Sequence, residues 1–133
     1  MKKISEARSI LTLNQTIIDK LSFERFSDNV TKIDEEGQVT FNRSVKQLEE
    51  FKVRVSLGVL ISAESKYEIK AQISGIFSIS EDSVLGRKVL ANNTVAILFP
   101  YLRSQLTLLT SQPGFEPIIL PVMNINALMS DED

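Results

Sequence analysis

Histidine and cysteine are both missing from this 133-residue chain, and their absence closes off much of enzymology. Without histidine the commonest general base and metal ligand is gone, and with it every Ser-His-Asp or Cys-His nucleophilic arrangement. Without cysteine there is no disulfide framework, thiolate nucleophile or zinc-thiolate centre. That composition suits a reducing compartment. Glycine is scarce: five residues, at 37, 58, 75, 86 and 114, which form no phosphate-cradling motif. Charge is nearly balanced, with 15 basic and 17 acidic residues, so the concentrated basic face that nucleic acid favours is lacking. No apolar run approaches the ~20 residues that span a bilayer. The opening "MKKISEARS" has a basic start but no apolar stretch behind it to make a secretory signal. Carboxylate chemistry has two clusters to draw on, Asp34–Glu36 and Asp131–Asp133, but runs of charge read as a solvated turn and tail. A Lys or Tyr acid/base pair is the catalytic chemistry left open. These absences predict a cytosolic protein that is not an enzyme, with no cofactor, metal, nucleic-acid partner or membrane insertion.

What is present is an ordinary globular composition, 43% hydrophobic and 24% charged, in a chain sized for a single domain over residues 1–133. In "FKVRVSLGVLISAE" the apolar residues Phe51, Val53, Val55, Leu57, Val59, Ile61 and Ala63 take every odd position. Period-two alternation places them on one face of a strand. After "ESK" the alternation resumes through Tyr67, Ile69, Ala71, Ile73, Gly75, Phe77 and Ile79, which predicts a long antiparallel hairpin. "GQVTFNRSV" predicts a further strand, introduced by the turn-like "DEEG". "SILTLNQTIIDKLSFERF" is ambiguous: Ile17, Leu21 and Phe23 suggest alternation, whereas Ala7, Leu11 and Ile18 could line a helix. It is read as a strand ending near Phe26.

Beyond Glu81 the period changes. Val95, Leu98, Phe99, Leu102, Leu106 and Leu109 recur at three- and four-residue steps, the spacing of a helix. Asn93 or Thr94 is placed to cap its start, and Pro100, which lacks an N–H, predicts a kink or a helix start close by. "SQPG" supplies the breakers at its end. "FEPIILPV" is then extended, because Pro117 and Pro121 disfavour helix in the residues before them. "NINALM" suggests a short terminal helix capped by Asn124. A greasy helix is what a core needs; a greasy, proline-pinned extended segment after it asks for another reason.

The order of these motifs carries a resemblance. "SGIFSIS" (74–80), "NTVAILFPYLRSQLTLLT" (93–110) and "PGFEPIILPVMNINALM" (113–129) resemble the SecB family of protein-export chaperones, whose pattern runs "GIFSI", "NILFPYAR", a proline-bearing apolar loop and "NFDALF". The family's first-strand "ISFE" is similar to "LSFE" at 21–24. The resemblance spans roughly residues 14 to 129. It implies an α+β fold: a four-stranded antiparallel sheet packed with a long helix in the C-terminal half and a short terminal helix. It also implies a homotetramer built as a dimer of dimers, and binding of unfolded client polypeptides in apolar grooves between sheet, helix and the loop after the helix.

On that reading Phe115, Ile118, Ile119, Leu120 and Val122 line or lid the client surface, with Val39 and Phe41 at the groove edge on the second strand. The alternative for each is capping of the sheet's core. Tyr101 and Arg103 match the family helix, where core and subunit packing compete with ligand contact. The family docks the export ATPase SecA on an acidic face. Matched residue by residue, Glu24 is retained, but Lys20 and Lys70 stand where acids are expected, Lys70 beside Glu68. The chain also stops soon after "NALM", short of the family's terminal helix and tail. SecA is therefore a doubtful partner. An antitoxin, held as some relatives hold one beside a toxin, is the other candidate. The expected function is an ATP-independent holdase acting in export or in toxin–antitoxin control. Its rivals are a small α+β enzymatic or ligand-binding domain with a pocket between helix and sheet, and an adaptor that uses its helix only for self-association.

Overall fold

A computed structural model describes residues 11–33, 37–79, 84–121, 124 and 129–131. Four long strands and one helix dominate it: β1 (Leu11–Arg25), β2 (Gln38–Glu49), β3 (Lys52–Ala63), β4 (Tyr67–Ile79) and α1 (Val84–Thr110), followed by the three-residue β5 (Met129–Asp131). The sheet order is β1-β4-β3-β2-β5. β1 to β4 pair antiparallel with one another, and β5 runs parallel to β2 over Phe41–Arg43. The α+β architecture of four antiparallel strands and a long helix is the one expected.

The β3–β4 hairpin forms as its alternation dictates. Val53, Val55, Leu57, Val59, Ile61, Tyr67, Ile69, Ala71, Ile73 and Phe77 are all buried on one face, beneath α1. Helical spacing delivers Val95, Leu98, Phe99, Leu102 and Leu106 into the same core. Helix and sheet approach closely at Gly75, where an added Cβ would lie 2.9 Å from Leu98 and 2.6 Å from the Phe77 ring. The opposite face carries the even residues of β3 and β4, and the described residues place no element over it.

Several expectations change. Phe51 is not the first inward residue of β3; it belongs to the tight turn from β2, 40% exposed and with a positive φ of 64°. Its carbonyl accepts the Ile79 N–H, which fixes a conformation that a bulky residue adopts only under constraint. The helix does not start at Asn93 or Thr94, nor at Pro100, but runs from Val84 to Thr110 with Pro100 inside it. Ala96 and Pro100 both lie on the exposed side, so the carbonyl that the proline ring leaves unpaired has water as a substitute partner. The terminal helix falls largely on residues outside those described; Asn124 is not helical, and Met129 opens β5.

β1 is a strand throughout its described length, yet Ile17 does not share a face with Leu21 and Phe23. The register shifts twice, between Leu13 and Gln15 and between Ile18 and Lys20. Each extra residue is polar and reaches across to β4. Asn14 Nδ2 donates to Ser78 Oγ at 2.6 Å, and Ser74 Oγ donates to Asp19, which also pairs with Arg54 at 2.6 Å. A bulge inverts the alternation after it, so Ile17 sits opposite Ser74 while Leu21 sits opposite the core residue Ala71.

Candidate functional site

Helix α1 ends at Thr110, and the chain returns over the end of the sheet as an irregular segment, 111–121. The helix's last carbonyls are used up locally: Ser111 Oγ donates to Thr107 O at 2.6 Å and Gln112 Nε2 to Leu109 O at 3.1 Å. Gly114 then takes the left-handed region at φ 78°, which turns the chain. Beyond it two threonines of the helix hold the segment. Thr107 Oγ1 donates to Ile118 O at 2.7 Å, and the Ile118 N–H donates to Thr110 Oγ1 at 2.8 Å. Both backbone groups of Ile118 are therefore satisfied by side chains, so this stretch holds an extended path without a neighbouring strand.

That path separates its apolar residues into two sets. Phe115 is buried and meets Phe23 edge-on, ring centroids 4.8 Å apart, with Tyr67 at 6.4 Å. Ile118 and Leu120 are buried in the core, whereas Ile119 between them is 67% exposed. Of the expected client residues, Phe41, Phe115, Ile118 and Leu120 thus pack inward in the single chain. Val39 and Ile119 are accessible, and Val122 lies outside the described residues.

Two further apolar margins appear on the helix-covered face. α1 lies over β4, β1 and β3, and towards the sheet's flanks side chains emerge from its cover. On β2, Val39 and Val45 are 47% and 49% exposed, on the same side of the strand as buried Phe41. On β1, Ile18 and Leu21 point to this face and remain exposed. Val45 was readable from the alternation 39-41-43-45; Ile18 was not, because the bulges conceal the parity of β1. A cleft of about 530 Å³ opens beside the segment, walled by Phe23, Leu109, Pro113 and Phe115 and rimmed by Arg25, Asp28 and Gln112.

The expected partner-docking residues come together on the open face. Lys20 pairs in register with Gln72, Ser22 with Lys70, and Glu24 with Glu68. Lys70 Nζ lies 3.2 Å from Glu68, so part of that acidity is already met within the chain. Tyr101 is exposed and Arg103 half-buried on α1. Among the described side chains of α1, the exposed ones are Asn93, Ala96, Pro100, Tyr101, Ser104 and Leu108, none of them charged. Among the described residues no group of acidic side chains approaches a metal-binding set, and no helix is long and apolar enough to cross a membrane.

This fold is similar to that of a Mycobacterium tuberculosis SecB-like chaperone, Rv1957, solved in complex with a ChAD peptide from the Rv1956 HigA1 antitoxin. The TM-score is 0.62 at 14% identity, over 90% of this chain and 93% of that one. In sequence the chain is 35% identical over 101 residues to the protein-export protein SecB of Methylococcus capsulatus, covering 70% of this chain and 64% of that protein. It is 28% identical over 85 residues to the protein-export protein SecB of Anaplasma phagocytophilum, 61% of this chain and 54% of that protein. It is also 31% identical over 70 residues to the uncharacterized protein MJ0357 of Methanocaldococcus jannaschii, 52% of this chain and 45% of that protein. The chain thus matches about half to just under two thirds of the length of these relatives. Residues 5–133 match the family described as preprotein translocase subunit SecB, and the chain belongs to the SecB family.

Proposed function

We propose that this chain is an ATP-independent holdase, which binds non-native polypeptide segments by apolar burial without covalent chemistry, metal or nucleotide. The observation that carries the reading is the post-helix segment: an extended, threonine-latched stretch that buries Ile118 and Leu120 and holds Ile119 out to solvent. A segment needed only to cap the core would have no use for a large apolar side chain displayed between two buried ones. Val39 and Val45 extend the same kind of surface onto β2. At ~25 cal/mol per Å² of apolar area, a few hundred Å² of buried client supports useful affinity, less the cost of ordering the client chain. Because this driving force is non-directional, selectivity among clients is low.

The client-binding set we favour is Val39 and Ile119 at the surface, with Phe41, Phe115, Ile118 and Leu120 as the packed base that supports them, and Val122 as the continuation of the segment. The uncharged exposed residues of α1 between Asn93 and Leu108 support self-association, and a homotetramer built as a dimer of dimers follows the family resemblance. The activity belongs in the cytosol, where chains are held before export and where an antitoxin would be held. Both uses call for the same surface. The curated SecB relatives speak for export, and the solved chaperone with its antitoxin peptide speaks for toxin–antitoxin control. The test is suppression of aggregation of a denatured, unrelated protein at near-stoichiometric amounts. Failure to suppress it would defeat the holdase reading and leave the ligand-binding or enzymatic domain and the self-association adaptor.

A further inference from the structure

We propose that Arg25 is a positioning residue: it clamps the β1–β2 connection to the post-helix segment, so that the two form one jaw that presents Ile119. Arg25 is the last residue of β1 and lies opposite Tyr67 in the pairing with β4. Its Nη1 donates both to Val30 O, at 3.4 Å, and to Gly114 O, at 3.1 Å. One guanidinium nitrogen thus joins the two connections, and Gly114 lies 89 residues beyond Arg25 in sequence. Beside it the Glu116 N–H donates to Thr31 O at 2.6 Å, a second tie between the same two segments. The base is fixed as well: the Phe26 N–H donates to Lys66 O at 2.8 Å, anchoring the end of β1 to the β3–β4 turn, and Phe23 stacks edge-on under Phe115.

The sequence fits this clamp in two ways. Both bonds leave one nitrogen, whose two N–H groups are held in the guanidinium plane, whereas a lysine ammonium rotates freely on a flexible stem. Gly114 supplies both the positive φ that directs its carbonyl to Arg25 and the room for it, since an added Cβ would stand 3.3 Å from Nη1. The consequence is functional. A segment already ordered does not have to be ordered by its client, and pre-organisation of this kind strengthens binding without adding a contact.

The inference rests on the holdase reading, and the experiment separates the two. Full-length protein and its Arg25→Gln, Arg25→Lys and Gly114→Ala variants are titrated against reduced, carboxymethylated α-lactalbumin as a permanently unfolded probe. Thermal unfolding and amide hydrogen exchange at Glu116 and Ile118 are followed in parallel. Arg25→Gln is expected to raise the probe Kd about tenfold and to speed exchange at both amides, while the Tm moves by no more than ~2 °C. Arg25→Lys falls between it and the unmodified protein. Gly114→Ala, which leaves Arg25 in place, shifts binding in the same direction. Because the chain has no cysteine, Thr31→Cys with Glu116→Cys makes a single crosslink across the jaw. Oxidation of that pair in the Arg25→Gln background should restore the affinity, and reduction should remove it again. Unchanged affinity in Arg25→Gln, or a crosslink that forms without restoring affinity, overturns the clamp. If the unmodified protein itself ignores the probe, the holdase reading fails and the clamp fails with it. Binding by the unmodified protein that is indifferent to all three variants defeats the clamp alone.

Discussion

The β3–β4 hairpin and the segment after α1 are both rich in apolar residues and put them to different uses. In the hairpin every second side chain goes into the core, and a full antiparallel ladder leaves it no other option. In the segment, Phe115, Ile118 and Leu120 go in, Ile119 stays out, and the backbone at Ile118 is held by just two threonine hydroxyls. The difference lies in how much of each segment its neighbours use. A strand paired on both edges has spent its backbone and one face on its neighbours. A segment latched at a few points keeps one face open to solvent.

The largest effect expected is on the hairpin side of this comparison. Leu57 and Ile73 are paired across β3 and β4 and essentially fully buried. Truncating either to alanine should destabilise the fold by ~2–5 kcal/mol, read as a cooperative shift in denaturant midpoint with an unchanged slope. A loss under ~1 kcal/mol would mean that the site collapses freely and is not the rigid base assumed here.

Next comes Phe115→Asp, which puts a carboxylate between Phe23 and Tyr67. An unpaired charge in such a place is strongly disfavoured. We expect ~2–4 kcal/mol of destabilisation, smaller than a central core charge would cause because the segment can swing out and rehydrate it. Near-wild-type stability would show that Phe115 is not part of the core. Thr110→Val is milder and more local. It removes the hydroxyl that receives the Ile118 N–H and leaves that group buried and unpaired, which costs ~1–3 kcal/mol. Hydrogen exchange should show the loss at Ile118 while the β3–β4 amides keep their protection; uniform loss would mean that segment and sheet unfold as one unit.

Much of this contrast was legible beforehand. Alternation gave the hairpin and its inward residues, and helical spacing gave the buried side of α1 from Val95 to Leu106. Prolines 117 and 121 marked the segment as non-helical. Which of its residues faced inward was not legible, because that depends on where Thr107 and Thr110 grip the backbone, and a threonine near a helix end carries no sign of its distant partner. The parity of β1 was hidden for a similar reason. Asn14 and Asp19 are bulged because their side chains reach Ser78 and Ser74 of β4, more than fifty residues on. Phe51 misled because its apolar character suited the strand while its position suited the turn. Arg25 gave no signal at all: nothing local distinguishes it from any other charged strand end.

Ile119→Asp should leave stability within ~0.5 kcal/mol of the unmodified protein, because the side chain is largely in solvent. On the holdase reading its effect belongs to client binding: affinity for an unfolded probe should fall at least about tenfold with the mass by light scattering unchanged. The pair Phe115→Asp and Ile119→Asp is thus the sharpest form of the comparison, two like substitutions four residues apart with opposite readouts. Should Ile119→Asp hold clients normally while staying folded, the segment is not the client surface and Val39 and Val45 become the place to look.

The smallest effect on the chain itself is expected on the open face, and it tests the partner instead of the fold. Lys20, Glu24, Glu68 and Lys70 lie together there across β1 and β4, so whatever docks on that face meets two cations and two anions. Glu68 is already engaged with Lys70 at 3.2 Å. The SecB family resemblance calls for an acidic face towards SecA, and on that resemblance Lys20 and Lys70 would reverse the sign at two of its positions. One exposed pair contributes only ~0–1 kcal/mol, but a symmetric oligomer would repeat the reversal in each subunit. Weak or no binding to SecA of the same cell is therefore expected at ~0.15 M salt, where the Debye length is about 8 Å and only charges in close apposition still count. Lys20→Asp with Lys70→Glu should gain affinity, and the gain should shrink as salt rises, since it is electrostatic in origin. Neither substitution touches the buried core, so stability should stay within ~0.5 kcal/mol. Tight binding by the unmodified protein would sink this expectation and favour export. A gain confined to the double mutant would favour a partner of the antitoxin kind, held on the opposite face by the segment that displays Ile119.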